Sequence, residues 1–229
     1  MSVILDMKHA GKRERAKAQN RADILAAARQ VFTEMGYGAA SIRDIIRRTT
    51  LAAGTFYNYF PDKESIFRTL VEESTRQVRQ RVHAARERAE TLEQFIGDAY
   101  RAYFEFVAED RITFELMRRN DAAIRALLGE PALAAAAEEL LEDLQRAVER
   151  GPVAGYDFDV EYMAAAMYGV AFEIAVRMVD RHPVDVDGAA AFATNLFLGA
   201  IERFRREPSA ESPRPARRPA RVVRGRGTT

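Results

Sequence analysis

Apolar residues recur every three to four positions along most of the chain, which is the spacing of an amphipathic α-helix. No segment alternates apolar and polar residues as a surface strand does. Capping residues support several of the helix ends, notably Asp62, the pair Thr91 and Gln94, and Gly36. We therefore predict an all-α fold. The predicted helices cover residues 18–35, 62–89, 91–107, 110–120, 131–150, 157–181 and 187–206.

The pattern changes more quickly between residues 41 and 63. Ser41 and Asp44 form a short capping box that would begin a helix at Ile42. A second short helix is predicted from Leu51 to Tyr59. Two short helices with a tight connection indicate a helix-turn-helix, and the helix before them completes a three-helix domain.

The second short helix has an outward face without a carboxylate. Phe56 and Phe60 fill its inward positions, so Tyr57 and Tyr59 are expected to face out rather than to cover the edge of a core. Small residues and hydroxyls on such a face suit close approach to a polyanion. Lys63 in the next helix opposes the helix dipole, which a phosphate partner would explain. The outward residues are Ala53, Gly54, Thr55, Tyr57, Asn58 and Tyr59.

At GTFYNYFPDKESIF, residues 54–67, and the SIRDI before it, the chain resembles the DNA-binding domain of TetR-family transcriptional regulators. The resemblance covers about residues 18–70. It implies that Arg43 reaches a base edge or a phosphate. It also implies base contacts by Ala53, Gly54 and Tyr57, and backbone contacts by Ser41, Thr55, Tyr59 and Lys63.

Two residues depart from the family pattern. Thr50 stands where a glycine is usual in the turn, and Ala52 stands where a serine usually caps the second helix. The turn is therefore expected either to be strained or to differ slightly in geometry.

Composition narrows the function. The chain has 229 residues, 48% hydrophobic and 30% charged, with no cysteine and only three histidines, which lie far apart. These residues offer no nucleophile, acid–base pair or metal-ligand cluster, so we predict neither an enzyme nor a bound cofactor or metal. The N-terminal apolar run is too short for a signal peptide, and no membrane span is evident, so a cytoplasmic location is expected.

Positive charge is concentrated at the two ends of the chain. Residues 1–22 carry a net charge of +4, and residues 205–229 hold eight arginines against two glutamates. Each end either adds salt-dependent affinity for DNA or is simply a solvated tail. The predicted regions are a disordered basic arm (1–17), the helix-turn-helix domain (18–62), a larger helical ligand-binding and dimerisation domain (63–207) and a disordered Pro/Arg-rich tail (208–229).

The last two long helices have apolar surface wider than one stripe. Asp157 or Asp159 is predicted to begin the first of them, and Asp187 the second. Small residues among bulky ones allow close packing on two sides, as in a self-associating bundle. TetR-like proteins dimerise through their last two long helices, so the resemblance implies a homodimer.

The central helices are rich in aromatic residues and methionine, which is compatible with an apolar cavity as well as with a plain packed core. The order FELMRRNDAAIRALLGEPALAAAAEELLEDL is weakly similar to the fatty-acid-biosynthesis repressors of the family, which respond to acyl-CoA thioesters. We therefore expect a small apolar, acyl-type effector with Arg118 or Arg119 near its anionic end. Both arginines could instead neutralise helix-end carbonyls. The candidate ligand residues are Tyr100, Tyr103, Phe104, Phe114, Met117, Arg119, Met163, Met167, Tyr168 and Phe172.

The resemblance thus implies a ligand-responsive regulator that binds a palindromic, double-stranded DNA operator as a homodimer. A repressor is the default expectation, and an activator is an alternative. A non-specific architectural DNA-binding protein that uses the two basic ends is a further alternative.

Overall fold

The all-α prediction is confirmed in a computed structural model of the chain. The structure describes residues 2–128, 131–150 and 156–205, with side chains described within 13–127, 138–149 and 156–205. The predicted tail at 208–229 lies outside the described residues. The α-helices of this described part are α1 (Ser2–Met35), α2 (Ile42–Ile46), α3 (Ala53–Phe56), α4 (Lys63–Glu87), α5 (Leu92–Glu109), α6 (Arg111–Arg119), α7 (Asp121–Leu128), α8 (Pro131–Arg150), α9 (Val160–Val179) and α10 (Val186–Ile201).

Side-chain caps fix most of the helix starts where the sequence predicts them. Thr91 and Gln94 form the expected capping box of α5, and Asp159 rather than Asp157 caps α9. The expected cap of α10 was wrong, because Asp185 takes the place predicted for Asp187.

The Asp185 cap of α10 lies close to Gly188. Asp185 Oδ1 accepts a hydrogen bond from the Gly188 amide at 2.8 Å. A Cβ on Gly188 would lie only 2.1 Å from Asp185 Oδ2. The Asp185 carboxylate would therefore have to shift if position 188 carried a side chain.

Two helices differ in length from the prediction. α1 begins at Ser2, whereas a disordered arm was predicted for residues 1–17. Residues 13–19 are exposed, and their lysines, arginines and alanines favour helix without any packing partner. α3 covers only Ala53–Phe56 rather than Leu51–Tyr59, and Ala52 before it offers no side-chain cap.

The helices pack around two hydrophobic cores. The N-terminal core is formed by α1, α2, α3 and the first turns of α4. It also includes Leu116 of α6 and Ile124 of α7. The C-terminal core is formed mainly by α5, α8, α9 and α10. The predicted domain boundary between residues 62 and 63 coincides with the start of α4, which begins in the first core and continues along the second.

Asn120 joins the two parts through its buried amide. Its Oδ1 accepts the Tyr37 N–H at 2.6 Å, and its Nδ2 donates to the carbonyls of Phe32 at 3.2 Å and Leu116 at 2.8 Å. The residue is only 3% exposed. One side chain at the end of α6 therefore satisfies backbone groups at the end of α1.

α9 combines the length and apolar composition of a membrane span, but core helices of globular proteins meet the same test. Only 28% of its most apolar window is buried within the chain. Large apolar side chains of α9 and α10 are accordingly exposed, including Tyr162 at 77% and Phe192 at 63%.

We predict that Asn120→Ala lowers the free energy of unfolding by about 1–3 kcal/mol, because the Tyr37 N–H loses its acceptor within the junction. Urea denaturation measures the change. The matched control is Asn58→Ala on the exposed segment after α3, where a change within about 0.5 kcal/mol is expected. Equal denaturation midpoints for the two variants would contradict a structural role for Asn120.

Candidate functional site

The predicted outward face of the second short helix is exposed. Ala53 and Gly54 are exposed at the start of α3, and Tyr57 just after it is 54% exposed. Phe56 is fully buried on the opposite side. A Cβ on Gly54 would meet nothing within 4 Å. The N-terminal end of α3 is therefore small and carboxylate-free, and other parts of the described chain leave it open to a partner.

Tyr59 is not presented in the same way. It is half-buried and packs against the N-terminal core, and its hydroxyl accepts a hydrogen bond from Asn20 Nδ2 at 3.0 Å. The expectation that both tyrosines face out was wrong for Tyr59, because α3 ends at Phe56 and the following turns redirect the chain. Thr55 is also half-buried.

Arg43 and Ser41, the two residues predicted to contact DNA from α2 and its N-cap, differ in their surroundings. Arg43 is exposed on its first turn. Ser41 is held by the predicted capping box, in which its Oγ lies 2.5 Å from Asp44 Oδ2. This hydrogen bond lowers the pKa of the Asp44 carboxyl, so the cap persists at neutral pH.

The turn between α2 and α3 accommodates Thr50 without a left-handed backbone, since only glycine has a positive φ within the described ranges. The neighbouring Thr49 side chain bridges the turn. Its Oγ1 donates to the Ile46 carbonyl at 2.9 Å and accepts the Leu51 N–H at 3.3 Å. The expected strain is therefore not seen as a left-handed residue at Thr50.

Lys63 is used inside the protein. Its Nζ donates to the carbonyls of Tyr37 at 2.8 Å and Ala40 at 2.9 Å, and it lies 4.2 Å from the centre of the Tyr37 ring. The lysine therefore fixes the loop between α1 and α2, and only one N–H of its ammonium remains for a phosphate. Sequence reasoning missed Tyr37, although an aromatic residue directly after the helix-ending Gly36 often packs back on the helix.

Two neighbouring cavities lie between the helices of the larger domain and share part of their lining. The first has a volume of about 100 Å³, and the second, towards α6 and α7, has a volume of about 400 Å³. Tyr103, Tyr168 and Phe172 line both cavities. Burial raises the pKa of Tyr103, whose hydroxyl has no hydrogen-bond partner among the described residues. It therefore stays protonated and can donate to a ligand.

Most of the predicted ligand residues line these cavities, and three do not. Phe104 and Met163 belong to the packed C-terminal core. Arg119 lies beside Gly36, with its Nε 3.9 Å from the position of a Cβ there, because the last turn of α6 faces α1. Arg118 pairs with Glu115 at 2.8 Å outside the cavities. Residues found in the cavity walls are Tyr100, Tyr103, Phe114, Met117, Met167, Tyr168 and Phe172.

A partly buried cluster of charged residues borders the first cavity and was missed from the sequence. Arg86 Nη1 donates to Asp143 Oδ2 at 3.1 Å, and Arg79 Nε donates to Glu139 Oε2 at 2.6 Å. Arg79, Arg86 and Glu139 all line the cavity. Arg79 and Arg86 lie in the arginine-rich half of α4. Nothing in the sequence distinguishes them from the neighbouring arginines that face solvent.

Comparison with known proteins decides the classification. Residues 24–70, from α1 to α4, match the model of the bacterial regulatory proteins of the tetR family. A tetR-family regulatory protein from Rhodococcus RHA1 is 25% identical, with a TM-score of 0.66 over 79% of this chain and 96% of its own. This chain carries the DNA-binding domain of the TetR family. The family prediction is thereby confirmed, together with its helix-turn-helix and helical C-terminal domain.

Other TetR-type structures share the fold at lower identity. The fatty acid degradation regulator FadR from Bacillus halodurans is 23% identical, with a TM-score of 0.67 over 79% of this chain and 95% of its own. FadR from Bacillus subtilis, solved in complex with stearoyl-CoA, is 22% identical, with a TM-score of 0.66 over 79% and 98%. The two FadR proteins and this chain thus have a similar fold, which extends over nearly the whole length of the FadR chains.

We predict that Lys63→Met lowers the free energy of unfolding by about 1–3 kcal/mol, because the carbonyls of Tyr37 and Ala40 lose charged donors. Thermal or urea denaturation measures the loss. Lys17→Met on the exposed part of α1 is the control and should change stability by less than about 0.5 kcal/mol. Unchanged stability of Lys63→Met would show that the lysine is dispensable for the loop.

Proposed function

We propose that this TetR-family regulator is a homodimeric repressor that binds a palindromic operator and is released by a small apolar, acyl-type effector. The observation that carries the proposal is the exposed, carboxylate-free start of α3. This helix packs on the N-terminal core, and α6 contributes both to that core and to the wall of an apolar cavity. In this proposal, DNA recognition and effector sensing share one connected set of helices.

The exposed surface of α3 supports insertion into a major groove. Small side chains at Ala53 and Gly54 allow the helix backbone to approach base edges, and Tyr57 offers a hydroxyl and a ring beside them. Arg43 on α2 is exposed and can reach a base edge or a phosphate. Ser41, Thr55, Tyr59 and Lys63 have intramolecular contacts or partial burial, so we assign them to positioning and to secondary backbone contacts.

An exposed apolar face of α9 and α10 supports the homodimer. Phe192 is 63% exposed and Leu196 is 46% exposed, one turn apart on α10. A Cβ on the following Gly199 would meet nothing within 4 Å, so another helix can approach closely there. A second copy would cover this face and the exposed apolar part of α9, and it would place two copies of α3 at a fixed separation.

The cavity supports an apolar effector with an acyl chain. Its walls are mainly aliphatic and aromatic, with a few polar groups, as ligand sites usually are. Two structurally similar TetR regulators bear on the chemical class, since one is a fatty acid degradation regulator and the other was solved with stearoyl-CoA. The effector would shift the population of dimers whose α3 helices match the operator spacing.

We predict that Gly54→Ala lowers operator affinity about tenfold or more while the fold is retained. The added methyl meets open space within the chain and favours helix by up to about 1 kcal/mol, but it would collide with bases in the groove. Tyr57→Ala should lower the affinity by a similar factor through loss of a base contact. Fluorescence anisotropy measures both variants on a duplex from the intergenic DNA beside the gene, chosen by footprinting with the wild-type protein.

Gly38→Ala is the matched control for the groove test, because a Cβ there also meets nothing within 4 Å and lies outside α3. It should bind like the wild type. Unchanged affinity of Gly54→Ala would contradict the insertion of α3. Equal affinity of the wild type for the intergenic and random duplexes at moderate salt would favour the architectural alternative.

We predict that Phe192→Glu with Leu196→Arg produces a monomer, because charges would replace the apolar centre of the interface. Light scattering after size-exclusion chromatography gives the mass. Ile112→Glu, at a 51% exposed position on α6, is the control and should remain dimeric. A dimeric Phe192/Leu196 variant would show that the copies associate through another surface.

A further inference from the structure

The guanidinium of Arg86 is buried with more donors than acceptors. Its side chain is 12% exposed, and its one hydrogen bond among the described residues goes from Nη1 to Asp143 at 3.1 Å. Its Nε is buried without a partner. Because a guanidinium carries five N–H donors, an additional oxygen acceptor would stabilise this buried group.

Arg86 lies at one end of the cavities, between the apolar interior and the surface. It lines the first cavity and also a shallow depression on the outer side, next to Asp143 and Arg146. Most of the wall beyond it is apolar, with Val82 and Leu140 among its members, while the ion pair of Arg79 and Glu139 forms part of the same lining. A ligand with an oxygen at one end and a hydrocarbon chain at the other fits this change in polarity.

The opposite end of the cavities offers a weaker site for a polar group. Phe114 and Met117 of α6 line it together with Val107. Arg125 lies at its rim, but the side chain is 66% exposed and pairs with Asp121 at 3.0 Å. Water screens such an ion pair, so it would add little to the binding of an anion compared with a buried guanidinium.

We propose that Arg86 binds the oxygen-bearing end of the acyl effector, and that the hydrocarbon chain runs from there to Phe114 and Met117 on α6. The oxygen is that of a free carboxylate or of a thioester carbonyl. This inference rests on the proposed acyl-type effector. It moves the polar end of the effector from Arg118 and Arg119 to the other end of the cavities.

This orientation makes α6 the element that senses chain length. The cavity side of α6 carries Phe114 and Met117, while Leu116 packs in the N-terminal core and Asn120 binds the end of α1. A short chain held at Arg86 would bind without reaching α6. A long chain would press on α6 and so favour the state with displaced DNA-binding domains.

The first test measures binding of palmitate, palmitoyl-CoA and 1-hexadecanol by calorimetry. Arg86→Gln should weaken the palmitate or palmitoyl-CoA complex about tenfold or more, with much less effect on the alcohol. Arg146→Gln, which removes another partner of Asp143 outside the first cavity, and Arg125→Gln, at the other end, should leave affinity nearly unchanged. Binding of only one of the two acyl probes identifies the source of the oxygen.

Arg86→Gln leaves Asp143 with Arg146 and His83 as neighbours. If this variant does not fold, as judged by circular dichroism, Arg86→Gln with Asp143→Asn removes both buried charges and provides the same comparison. An affinity loss in Arg125→Gln, with none in the Arg86 variants, would overturn the orientation.

The second test compares binding and operator release for saturated acyl chains of increasing length, in whichever form the first test identifies. Short chains should bind without releasing DNA, and Met117→Ala should lengthen the shortest chain that releases it. If operator release simply paralleled the binding affinity of the acyl chain at every chain length, the role of α6 would be overturned. Equal release by palmitoyl-CoA from wild type and Arg86→Gln would overturn only this inference, whereas no binding of any acyl probe would overturn the proposed effector class itself.

Discussion

The position of α3 depends on the packing of Phe56, because a helix of four residues has no stability of its own in water. Phe56 is fully buried and Phe60 is 4% exposed, so two aromatic rings attach this segment to the core of the first domain. Lys63 fixes the loop between α1 and α2 through the carbonyls of Tyr37 and Ala40. A glycine at position 54 can therefore be tolerated, since tertiary contacts rather than helix propensity hold the backbone.

The same core connects the DNA-binding region to the rest of the chain. Leu116 and Ile124 belong to it although they come from α6 and α7, and the Asn120 amide satisfies backbone groups at the end of α1. A shift of α6 would have to break these hydrogen bonds or move the first domain with it. α4 provides a second connection, since its first turns pack in one core and its later turns contact the other.

The ion pair of Arg86 and Asp143 makes one end of the cavities polar. Asp143 is buried and partly neutralises Arg86, whose own burial lowers its pKa. Near α6 the lining combines Phe114 and Met117 with the charged residues Asp121, Arg125 and Glu173. Two tyrosine hydroxyls lie between the two ends: that of Tyr100 donates to the Met167 carbonyl at 3.1 Å, whereas that of Tyr103 has no hydrogen-bond partner among the described residues.

The sequence by itself determined the local features of this protein. Capping residues, the periodicity of apolar positions and the FYNYFPDK segment identified the helices, the helix-turn-helix and the TetR family, because these signals act over a few residues. Exposure of Tyr57 followed from the inward placement of Phe56, whereas partial burial of Tyr59 depended on where α3 ends. Tertiary structure alone decided the internal use of Lys63, the exclusion of Arg119 from the cavity and the meeting of Arg86 with Asp143. Those outcomes join residues far apart in the chain, and helical periodicity cannot tell which face of a helix meets which neighbour.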